Sequence, residues 1–207
     1  MNFNDSLFND VYYYELKWLS YSIKTKCEHV FSIVSIPDEG YLIQVNAEVH
    51  SNIFSLLSDA ANLKKLILTS SVKKNGENGA RFKLRKERAS VLSEFLKSLN
   101  IKEMLNPKVR NTLEHFDEYL DKANYEVTQS APQNKLAAYN VVLSHWDAIS
   151  PRVYPLRLYI SSEKKFYNMQ WGIDIGLIYL EACSILEKLE GGKVPVSTEP
   201  GGLMIRI

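Results

Sequence analysis

Leu156-Arg157-Leu158-Tyr159-Ile160, a short polar turn at Ser161–Lys164, and then Lys165-Phe166-Tyr167-Asn168-Met169-Gln170-Trp171 form the stretch on which the fold class turns. Side chains alternate with a period of two on either side of the turn, the pattern of a β-hairpin. Upstream, Ala138-Tyr139-Asn140-Val141-Val142-Leu143 reads as a further strand. Elsewhere the apolar period is helical. β-structure is therefore expected only as a small antiparallel addition at about 138–171. A last apolar helix follows over about 174–190 and stops at Gly191-Gly192, a suitable C-terminal signal.

Working outward, residues 8–24 fit a helix, with Val11, Tyr14, Trp18 and Tyr21 recurring at spacings of three or four. Such an aromatic stripe reads as core or as a subunit contact. Pro37-Asp38-Glu39-Gly40 is a turn. Residues 41–69 form the longest helical pattern, from Leu42 and Val45 through Leu56, Leu57 and Ala60 to Ile67. Asn75-Gly76-Glu77-Asn78-Gly79 breaks the chain, and another helix covers about 83–99. Asn106 is a good N-cap and Pro107 suits a first helical position, so a helix is expected over 107–123. The fold class implied is mainly α: an up-and-down helical bundle with a small antiparallel β-hairpin or sheet addition before the last helix. One domain over 1–190 and a tail over 191–207 are expected.

Composition bounds the function. The 207 residues are 45% hydrophobic and 24% charged, with a net charge of +1. A chain of this length can bury a core without metals or disulfides. Its charge creates no global field that would draw it to nucleic acid or to a membrane. Cys27 and Cys183 are far apart in sequence, which favours a reducing cytoplasmic setting. No apolar run is long enough for a membrane helix, and the N-terminus lacks the pattern of a secretory signal. His29 and His50 have no partners at metal-ligand spacing, and no metal or cofactor is expected. His145-Trp146-Asp147 at a strand end reads as structural. Ser90, Ser93 and Ser98 lack a nucleophile-elbow setting, and Asn75–Gly79 lacks the ending of a P-loop.

The chemically distinctive run is Arg110-Asn111-Thr112-Leu113-Glu114-His115, followed by Phe116-Asp117-Glu118-Tyr119-Leu120-Asp121. On a helix, Val109, Leu113, Phe116 and Leu120 face the core, and Arg110, Glu114, Asp117, Glu118 and Asp121 face solvent. Asn111 and His115 are four residues apart and share the border row, which Tyr119 extends. Arg110 projects roughly 140° from His115 around the helix axis.

This Arg-Asn-x3-His pattern resembles the motif of the HEPN superfamily, whose members are helical bundles and include metal-independent endoribonucleases. The specific likeness covers residues 110–121, and a likeness to the whole domain would cover about 8–124 and 172–190. The resemblance implies catalytic roles for Arg110, Asn111 and His115 in RNA cleavage by 2′-hydroxyl attack. His115 would move protons near neutrality, Arg110 would meet the phosphate, and Asn111 would orient either. It also implies a homodimer, because two motifs at a dimer cleft supply the acid and the base that one histidine cannot be together. A toxin–antitoxin or phage-defence setting, with an antitoxin or other protein partner, belongs to the same implication. So does the alternative of a dimeric RNA-, nucleotide- or protein-binding module that does not cleave.

Residues 73–88 are the most basic stretch. Lys73, Lys74, Arg81, Lys83 and Arg85 are the candidates for RNA-phosphate contacts. The alternative for such a run is a solvated loop and helix start.

Overall fold

The computed structural model describes residues 3, 7–106, 108–129, 136–191 and 204; within α4, the side chains of Val109, Arg110 and Thr112 fall outside the description. In chain order the elements are α1 (Asn9–Ile33), β1 (Ile43–Gln44), α2 (Ala47–Ile67), α3 (Gly79–Leu96), α4 (Lys108–Glu114), α5 (Phe116–Gln129), β2 (Ala137–Leu143), β3 (Tyr154–Ile160), β4 (Lys165–Asn168), β5 (Trp171–Asp174) and α6 (Ile175–Glu190).

The strands form one five-stranded sheet in the order β1-β2-β3-β4-β5. β2 and β3 are parallel, and the other neighbouring pairs are antiparallel. The expectation of a mainly α, up-and-down bundle with a small β addition is thus corrected: the architecture is mixed α/β. The expected hairpin is real, with Leu158 opposite Tyr167 and Ile160 opposite Lys165. It is, however, the middle of a sheet. What the periodicity concealed were the edges. β1 pairs Ile43 with Leu143 and Gln44 with Val142, and two residues are too few to show a period. β5 runs straight into α6, where Asp174 caps the helix by accepting from the Leu177 N–H at 2.8 Å.

Helix starts follow the local chemistry. α2 begins at Ala47, not at 41, because the Asn46 side chain accepts from the Glu48 and Val49 N–H groups at 3.0 and 3.3 Å. Asn78 caps α3 by accepting from the Arg81 N–H at 2.9 Å. α1 runs on to Ile33, and the face it buries is Leu16, Leu19, Ile23, Cys27 and Val30. The aromatic stripe is a different face: Val11, Trp18 and Tyr21 are exposed, Trp18 by 52%.

α1, α2 and α6 pack together over one side of the sheet. Leu16, Ile23, Ile53, Leu56, Leu63, Ile178 and Ile185 from the helices meet Val142, Tyr159, Phe166 and Ile173 from the strands. Each fully buried aliphatic or aromatic side chain here contributes about 1.5–3 kcal/mol relative to exposure. A smaller cluster on the other side comprises Ala138, Leu143, Val153, Leu158 and Ile160, packed by Trp146, Ile149 and Tyr167. Both cysteines are free thiols, with Cys27 pushed up to about 12 chiefly by burial. No helix among the described residues is long and apolar enough to cross a membrane. Of the expected tail at 191–207, only Gly191 and Met204 lie within the described residues.

β2 and β3 are both interrupted at one point. Asn140 has φ +52° and Arg157 φ +65°, and the register steps from Tyr139 opposite Leu156 to Val141 opposite Leu158. Each strand therefore carries one extra residue in the left-handed region, which non-glycine residues seldom adopt. The paired insertions turn both strands over together, so Ala138, Val141 and Leu143 face the same cluster despite their odd spacing.

Candidate functional site

α4 is entered through a pinned loop. The Glu181 carboxylate on α6 accepts from the N–H groups of Lys102, Glu103 and Met104 at 2.7, 2.9 and 2.7 Å. Glu103 in turn accepts from the Asp174 N–H at 2.8 Å. Asn106 then accepts from the Lys108 N–H at 3.2 Å, the expected cap. Pro107, the expected first helical residue, lies outside the described residues.

The single helix expected over 107–123 is two, α4 and α5, and the break falls on His115. The ladder still crosses it: the His115 N–H donates to Asn111 at 3.0 Å and the Tyr119 N–H donates to His115 at 3.1 Å. The apolar face lies as the helical period requires. Leu113 packs against the main core, Phe116 lies under the Arg157 guanidinium at 3.8 Å, and Tyr119 meets Trp171 edge-on at 5.1 Å.

Asn111 is half-buried. The His115 side chain is 57% exposed, with Nδ1 3.7 Å from Glu118. Glu114, Asp117, Glu118 and Asp121 are all exposed around it. The imidazole thus has solvent access and an acidic surround. Arg110 lies in α4, but its side chain is outside the description, so its position relative to His115 is not part of this geometry.

The basic stretch divides. Lys73, Lys74, Arg81 and Lys83 are exposed, with Lys83 3.5 Å from Glu87. Arg85 is different: its side chain is only 11% exposed. Its Nε and Nη2 both donate to Glu77 at 2.8 Å, and its remaining donors reach Thr69 and the carbonyls of Ser70 and Val72. Hydrogen bonding from Arg85 holds the Glu77 carboxyl down at about 2. Arg85 therefore ties the 69–77 loop to α3, and its fork is turned inward.

A cleft of about 210 Å³ opens beside the motif, lined by Phe54, Leu57, Ser58, Leu113, Glu114 and Arg157. Arg157 rests on three rings, with its guanidinium 3.8 Å from the Phe116 centroid, 5.1 Å from Phe54 and 5.9 Å from Tyr139. Its backbone carbonyl accepts from His50 Nε2 at 2.8 Å, while His50 Nδ1 faces the Asn46 carbonyl at 3.1 Å. Buried His50 thereby fastens the strand break to the start of α2. The sequence reading missed Arg157. Its available signal was a lone arginine among Leu156, Leu158, Tyr159 and Ile160. Among the described residues no three His, Cys, Asp or Glu side chains gather as a metal-binding group. Comparison of the chain with protein-family models, curated proteins and solved structures gives no match.

Proposed function

We propose that the protein is a cytoplasmic, metal-independent RNA-cleaving protein that uses a HEPN-like motif, with His115 as the proton-transferring group, Asn111 as its orienting neighbour and Arg110 as the phosphate-facing cation. The observation that carries this reading is the setting of His115. It is a well-exposed imidazole at a helix break, one turn from Asn111, with an exposed carboxylate at 3.7 Å. The reading rests on the motif alone, because the helical-bundle architecture that the resemblance implied is not the architecture of this chain. RNA supplies its own 2′-hydroxyl nucleophile, so the protein need only move two protons and stabilise the phosphorane.

One histidine cannot be acid and base together, which makes a homodimer part of the proposal.

A second reading has its own support: the four exposed carboxylates around His115 oppose RNA phosphates. It makes the protein a binding module, for RNA, a nucleotide or an antitoxin-like protein, that does not cleave. Incubating wild type, His115→Ala and Arg110→Ala with a mixed RNA pool in EDTA separates the two. Cleavage by wild type alone, leaving 2′,3′-cyclic phosphate ends, is the expected outcome. RNA retention without cleavage favours the second reading, and neither cleavage nor retention overturns an RNA role. Sedimentation at micromolar concentration should show a dimer; a monomer refutes the two-copy site.

A further inference from the structure

We propose that the cleft at Arg157 is a binding site for a small oxyanion, a carboxylate or phosphate monoester, carried on an apolar or aromatic group. This does not depend on whether His115 cleaves RNA. Three observations converge on it. First, Arg157 is a half-buried cation with no carboxylate in ion-pair range among the described residues. Its Nε is buried and unpaired, and neither Nη1 nor Nη2 donates a hydrogen bond to a described residue. A guanidinium taken partly out of water with its donors unspent is costly, and a bidentate oxyanion is the partner its planar fork matches.

Second, the fork is held ready. Phe116 covers the guanidinium face at 3.8 Å, with Phe54 and Tyr139 further around it. Stacking occupies the faces of a guanidinium and leaves its edge donors in plane. Behind it the backbone is fixed at φ +65°, and the Arg157 carbonyl is bonded to His50. Such conformations persist only where the surroundings over-determine them.

Third, the cleft that Arg157 lines suits the remainder of such a ligand. Phe54, Leu57 and Leu113 form an apolar wall, and Ser58 and Glu114 stand on the rim of a cleft of about 210 Å³. That is below the 300–1,000 Å³ of sites for drug-sized molecules, so the ligand is small.

The test titrates the 15N-labelled full chain with benzoate, phenyl phosphate, inorganic phosphate and benzyl alcohol, following amide shifts. Benzoate and phenyl phosphate are expected to bind with Kd of about 1 mM or tighter and to shift Ser58, Leu113 and Arg157. Benzyl alcohol, which lacks the charge, and inorganic phosphate, which lacks the ring, should each bind at least tenfold more weakly. Arg157→Met keeps an apolar stem on Phe116 and should lose tenfold or more; Arg157→Lys should fall between. Ser58→Phe, at an exposed α2 position, fills the cleft while leaving Arg157 in place, so it decides the matter if the Arg157 variants do not fold. The site is refuted if neither aromatic anion binds in the millimolar range. It is equally refuted if benzyl alcohol binds as well as they do, or if folded Arg157→Met or Ser58→Phe binds like wild type.

Discussion

Two arginines, Arg85 and Arg157, stand at opposite ends of the same question. Arg85 belongs to the most basic stretch of the chain and spends its donors internally, two of them on Glu77 at 2.8 Å. Arg157 stands alone in an apolar strand and keeps its fork unspent on a bed of three rings. A run of basic residues is therefore a poor guide to which cation is available. Availability depends on whether folding brings a carboxylate and loop carbonyls to the fork, and those partners are distributed by tertiary structure. The three rings offset part of the desolvation of the Arg157 guanidinium, but they leave its edge donors unpaired. Those open donors are what the proposed ligand would meet.

The comparison can be broken most severely at the support of Arg157. His50→Ala removes the ring that bonds the Arg157 carbonyl and packs against Phe54 and Phe166. A loss of about 2–4 kcal/mol in urea unfolding is expected, from the cavity and from the Arg157 carbonyl left without its donor. A loss under about 1 kcal/mol would mean that the strand break holds without His50.

The Arg85 side is sharpened by pH. Because the Glu77 carboxyl is held at about 2 against an ordinary 4.5, its stabilising effect is complete above 4.5 and is lost as pH falls towards 2. Thermal melting followed from pH 6 to 2 should therefore fall with acidity in wild type. Glu77→Gln should start lower at pH 6 and show a shallower fall through that window. Parallel curves for the two proteins would show that the clamp does not carry the effect.

The smallest expected effect tests the remaining exposed cations. Lys74→Ala with Arg81→Ala should leave the melting temperature within experimental error, since both side chains are exposed. If the stretch contacts RNA, binding weakens, and the slope of log affinity against log salt drops by roughly 0.7–0.9 per phosphate contact removed. An unchanged slope would assign the whole stretch to the loop clamp and to solvation.

The motif helix shows how much of the site can be read early. The placement of Leu113 and Phe116 on packed faces, with the acidic residues outward, followed from the helical period, because side-chain direction along a helix is local geometry. The break at His115 did not, since no proline or glycine marks it. The edge strands were hidden for a different reason. Ile43-Gln44 becomes a strand only because Val142 and Leu143, about a hundred residues later, offer a free edge.

The sequence by itself determined what is local: the helix cap at Asn106, the alternation of the β3–β4 hairpin, and the row shared by Asn111 and His115. Those features rest on periods of two and 3.6 and on side chains that bond a backbone N–H two or three residues away. Only the tertiary structure decided that the hairpin lies inside a five-stranded sheet, that Arg85 is spent and that Arg157 is not. Each of these depends on which distant groups arrive at a given strand edge or guanidinium fork. Periodicity carries no record of long-range partners.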